Sequence, residues 1–130
     1  MFGVISILFG AGFFAVNWNR VTQKEKKEIV DALDRALTRT QYHIDNTRTA
    51  DGENVASTEL YDLWNEVANR IRPYDRHNAY TFKAKSKYWL TPNSWYQELD
   101  NKDSEQRLKI SLSEVTKQYW KLRTIWKIDN

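Results

Sequence analysis

The apolar and polar positions of the chain fall into stretches of different period, and each period predicts an element. Residues 1–16, MFGVISILFGAGFFAV, contain no charge at all and are followed at once by Asn17, Trp18, Asn19 and Arg20. A helix from Phe2 to Trp18 would reach roughly 25 Å, just under the ~30 Å hydrocarbon thickness of a bilayer. Trp18 stands where an interfacial aromatic is expected, and Arg20, Lys24, Lys26 and Lys27 crowd the C-terminal flank while no Lys or Arg precedes the run. The pattern predicts a single transmembrane helix over 1–19, with residues 20–130 as one cytoplasmic domain at the inner membrane. A cleaved signal peptide would carry its cations before the apolar run, and a buried core helix is the other competing reading. Ser6 with Gly10 and Ala11 with Ala15 form small-xxx-small pairs, which favour close helix approach and an oligomeric anchor.

From Thr22 to about Asp45 the period is helical, with Ile29, Leu33, Ala36, Leu37, Thr40 and Ile44 recurring at three and four and charges on the other face. Asp51-Gly52 marks a turn, and Ser57 is a candidate N-cap for a second helix with Leu60, Trp64, Val67 and Ile71 on one stripe. Pro73 disfavours helical geometry at Arg72 and should end it. Beyond Asn78 the period changes to two. Tyr80, Phe82, Ala84 and Tyr88 alternate with Thr81, Lys83, Lys85, Lys87 and Trp89, which predicts a strand with a cationic outer face. Thr91-Pro92 opens a short helix through Leu99, and Leu108, Ile110 and Leu112 alternate with Arg107, Lys109 and Ser111 as a second strand. From Ser113 the helical period returns with Val115, Tyr119, Leu122 and Trp126. The expected fold is therefore α+β and mostly helical: three to four helices and a small two-stranded sheet behind the anchor.

Composition narrows the chemistry. There are 130 residues, enough for one compact domain after the anchor, and six Trp, seven Tyr and five Phe to fill its core. With no cysteine there is no disulfide scaffold and no thiolate, and two histidines, His43 and His77, make no zinc constellation of ordinary spacing. Gly52 is the one glycine outside the apolar run, which excludes a P-loop or a dinucleotide cradle. No cofactor or metal is expected. The net charge of +3 is mild, so the placement of cations matters more than their sum.

One catalytic pattern can be written. Arg72-Pro73-Tyr74-Asp75-Arg76-His77 has an Arg-x4-His spacing similar to the motif of HEPN-type ribonucleases, although Pro73 departs from the polar residue usual after the arginine. The resemblance implies that His77 acts on the proton of an attacking 2′-hydroxyl and that Arg72 stabilises phosphate charge. The competing reading is a histidine in a polar turn.

A broader signal is the mixture of cations and rings from Tyr74 to Tyr96 and again in the last helix, where Lys117, Lys121, Arg123 and Lys127 fall. Arg76, Lys83, Lys85, Lys87, Trp89, Arg107 and Lys109 are the candidate ligand-binding residues, a combination suited to nucleotides or single-stranded nucleic acid. The same lysines could instead keep an edge strand soluble or meet anionic lipid headgroups. The expected function is a signal-gated membrane effector whose basic, aromatic domain binds a nucleotide or RNA ligand, with pairing of strand edges making a homo-oligomer. The alternatives are a non-catalytic structural subunit of a larger membrane complex and a HEPN-like ribonuclease.

Overall fold

The computed structural model describes residues 20–47, 49–50, 52, 54–92 and 102–128, apart from the side chains of 77, 102–111, 113 and 114. Among the described residues there are four helices, α1 (Gln23–Asn46), α2 (Thr58–Ile71), α3 (Arg76–Tyr88) and α4 (Lys102–Ile125), and no strand. α2 packs most extensively on α3, and α1 packs on both α2 and α4.

Each of the first three helices begins at a side-chain cap. Thr22 Oγ1 accepts from the Glu25 N–H at 3.1 Å and donates to Glu25 Oε1 at 2.9 Å, closing the first turn of α1. Ser57 Oγ accepts from the Leu60 N–H at 3.1 Å, and Asp75 Oδ1 accepts from the Asn78 N–H at 3.1 Å. The Ser57 N–H also donates to the Trp89 carbonyl at 2.8 Å, so the start of α2 is tied to the end of α3. Gly52, at φ +79°, holds the left-handed conformation that closes the turn from Thr49, whose carbonyl accepts the Gly52 N–H at 2.9 Å.

The core gathers around Trp64, which is fully buried. Its ring stacks on Phe82 of α3 at 5.8 Å with an interplanar angle of 7°, and its Nε1 donates to Thr40 Oγ1 of α1 at 2.8 Å. One side chain thus fastens three helices, by apolar burial on one side and a satisfied indole N–H on the other. On α1 the buried stripe is Ile29, Val30, Ala32, Leu33, Ala36, Leu37 and Thr40; on α4 Val115, Tyr119, Leu122 and Trp126 join the same core. α4 ends in a Schellman motif, with the Ile128 N–H on the Arg123 carbonyl at 2.9 Å and the Lys127 N–H on the Thr124 carbonyl at 3.2 Å. Lys127 occupies the left-handed position at φ 55°.

Three sequence expectations require correction. The first is the strand from Tyr80, which is instead α3. The helical stripe there is Ala79, Phe82, Ser86 and Trp89, spaced three, four and three, with Asn78 and Lys85 buried beside it. Three of these buried residues, Asn78, Lys85 and Ser86, are polar and Tyr80 is exposed, so apolarity alone gave a false period of two. The Asp75 cap and the helix-forming Ala79, Lys83, Ala84, Lys85 and Lys87 then decide for helix. The second is the strand over Leu108 to Leu112, which lies inside the uninterrupted 24-residue α4. A short apolar run cannot distinguish strand from buried helix by its own period, and no Gly or Pro bounds this one. The α+β class is thus corrected to an all-helical one for the described residues.

The third is the membrane protein itself. The expected anchor over 1–19 lies outside the described residues, and so does the short helix expected after Thr91-Pro92 from residue 93 onward. Among the described residues no helix is long and apolar enough to cross a membrane. α1 and α4 have the 24 residues needed to span, but each is amphipathic, and α1 exposes Lys24, Lys27, Asp34, Arg35 and Arg39. The single-pass architecture and its inner-membrane location thus find no support among the described residues. Where helix α2 stops, at Ile71, matches the position of Pro73, yet Arg72 retains helical angles (φ −54°, ψ −41°) because its N–H still bonds the Ala68 carbonyl at 3.0 Å.

Candidate functional site

The helical geometry of α3 separates the lysines that a strand would have aligned. At 100° per residue Lys83 and Lys87 share a face while Lys85 points the other way. Lys87 is exposed, Lys83 is half-buried with Nζ donating to Asn65 Oδ1, and Lys85 is in the core at 8% exposure, its Nζ 5.0 Å from the Trp64 ring centroid. Desolvation in that position lowers the Lys85 ammonium from its usual 10.5 to about 8. Trp89 is buried at the α3 C-cap, edge-on to His43 at 5.3 Å and to Tyr88 at 5.0 Å. The nucleotide-binding reading rested on these residues forming one open face, and that face is not formed.

Arg76 is exposed in the first turn of α3. Arg72, also exposed, caps the end of α2, and the backbone of His77 lies in the first turn of α3, so the Arg-x4-His pair straddles a helix junction. Asp75 between them is buried and engaged as a cap. Arg107 and Lys109 fall in the first half of α4, whose side chains are outside the described set.

Two surface features lie elsewhere. Where the start of α1 meets the end of α2, a groove of about 400 Å³ is lined by Glu25, Glu28, Ile29, Glu66, Asn69, Arg70, Pro73 and Tyr74. Arg70 Nε is 3.1 Å from Glu66 Oε2 and Arg70 Nη1 is 3.8 Å from Glu28 Oε2, while Arg35 also reaches Glu66 at 3.1 Å. With three carboxylates and one guanidinium in its lining, the groove is acidic over a floor of Ile29, Pro73 and Tyr74.

The second feature is the outer face of the last two turns of α4. Trp120 is 58% exposed and Ile125 57%, and with Lys121 and Thr124 they line a shallow concavity of about 280 Å³. Arg123 lies over both neighbouring rings, 5.6 Å from the Tyr119 centroid and 5.4 Å from that of Trp120, and its Nη1 donates to Tyr119 Oη at 3.0 Å. Tyr119 and Trp120 meet edge to face at 5.1 Å. The geometry fixes a large ring beside a planar cation on a rigid helix, a pairing enriched at protein interfaces. Residues 115–128 carry Lys117, Lys121, Arg123 and Lys127 and no acidic residue.

The sequence reading reached the cations of this helix but missed Trp120 and Ile125. A signal for them existed: both are large apolar residues that fall off the stripe 115-119-122-126, and an off-stripe apolar residue is a surface residue. Neither feature contains a nucleophile–base pair, and among the described residues no group of three or more His, Cys, Asp or Glu could hold a metal ion. Comparison of the chain with models of protein families, with curated proteins and with solved structures finds no match.

Proposed function

We propose that the chain is a non-catalytic interaction module that binds a protein partner through the C-terminal half of α4, with Trp120 as the anchor. The observation that carries this reading is the exposure of Trp120 and Ile125 on a well-packed helix. Their neighbours Tyr119 and Leu122 are buried, so the exposed pair is not a consequence of loose packing. Exposing an indole to water forgoes its burial energy, which a partner recovers on binding. The surrounding Lys117, Lys121, Arg123 and Lys127 select a partner with carboxylates around an apolar depression, and they steer its approach. This retains from the sequence reading a basic, aromatic surface that recognises an anionic partner, relocated from α3 to α4.

A photo-reactive amino acid at position 120 in the full chain, expressed in its native host, tests the reading. A discrete protein adduct at 120 and none from the exposed Asp62 on α2 is the expected result. Adducts at neither position, or equal labelling at both, would remove it.

A further inference from the structure

Resting on that interaction reading, we infer that the partner is a second copy of this chain, whose acidic groove between α1 and α2 receives Trp120. Pairing of the α4 face with its own copy would set the four cations of residues 115–128 against the same four cations. The face requires a surface with an apolar floor and a negative rim. The groove lined by Glu25, Glu28 and Glu66 over Ile29, Pro73 and Tyr74 has that character, and its volume of about 400 Å³ falls within the range of clefts that bury side-chain-sized groups. Arg70 and Arg35 offset two of the three carboxylates by charge count, leaving the groove with one net negative charge where α4 is net positive.

The two surfaces lie at one end of the molecule. Gln23 Nε2 at the start of α1 donates to the Trp126 carbonyl at the end of α4 at 2.9 Å, and Lys26 Nζ lies 5.8 Å from the Trp126 ring. The opening turns of α1 thus touch the α4 terminus while Glu25, Glu28 and Ile29 from the same turns line the groove with α2. Each copy carries both halves of the contact close together, so two-fold pairing would place each Trp120 in the other copy's groove and satisfy both at once.

Sedimentation of the full chain across concentration and salt tests this. The parent is expected to be a dimer that weakens as salt is raised. Trp120→Ala should dissociate it. Glu28→Lys and Lys121→Glu should each weaken it at least about tenfold, and combining them in one chain should recover most of the loss. A monomer at all concentrations, or an oligomer indifferent to all four variants, would overturn the second-copy assignment. The cross-link at position 120 then separates the two readings: an adduct between copies supports both, an adduct with a different protein keeps the module and removes the second copy, and no adduct removes both.

Discussion

The α2–α3 pair and the end of α4 are built from the same ingredients, Trp, Tyr, Lys and Arg in close sequence, and use them in opposite ways. In the pair, Trp64, Phe82 and Lys85 are turned inward, with the ammonium 5.0 Å from the indole centroid and the rings stacked. On α4, Trp120 and Arg123 form the same kind of cation–ring contact in view of solvent. What separates them is helical phase: Trp64 and Phe82 sit on a buried stripe, whereas Trp120 sits one residue past Tyr119, rotated 100° off one. Composition is therefore no guide to whether an aromatic–cation mixture binds anything; position relative to the stripe is.

The largest expected effect follows from the inward half. Trp64→Ala removes the side chain that joins three helices and should cost about 3–5 kcal/mol of stability, measured by chemical denaturation.

Lys85 sharpens the contrast through pH. Its folded value of about 8 lies below its usual 10.5, so between those values the unfolded chain binds more protons than the folded one. Stability should then rise with pH through that window, by up to about 3 kcal/mol, and be lowest where the buried amine is charged, below pH 8. In Lys85→Met this increment should be absent, so the parent gains on the variant from pH 8 to 10.5. A difference between the two that does not change with pH would place the ammonium in water.

A smaller effect is expected at the partner of the indole N–H. Thr40→Val keeps the shape but leaves Trp64 Nε1 buried without its acceptor, at a cost of about 1–3 kcal/mol. Smallest is the α4 terminus. Lys127→Gly relieves a left-handed non-glycine residue at φ 55° and should raise stability by under about 1 kcal/mol, seen as a small increase in midpoint.

Much of the helical frame was readable in the sequence, and the failures have a common cause. α1 and α2 present apolar residues at three and four, with Ser57 as the expected cap of α2, and there the periodicity matches the buried stripes. α3 hides its period because Asn78, Lys85 and Ser86 are buried while Tyr80 is 77% exposed. Buried polar residues and exposed aromatic ones both invert the sign on which pattern reading depends. The groove was not readable at all, since Glu25, Glu28 and Glu66 meet only through the packing of α1 on α2. The α4 surface was half readable: its cations were evident, and Trp120 went unnamed because the last helix was read only along the stripe of Val115, Tyr119, Leu122 and Trp126.

The division between an inward and an outward tryptophan is tested most directly by chemical denaturation of Trp120→Ala beside Trp64→Ala in the full chain. The structure predicts that Trp120→Ala unfolds within about 0.5 kcal/mol of the parent monomer while Trp64→Ala loses several. Comparable losses in the two variants would place Trp120 in the core and contradict its role as a surface anchor.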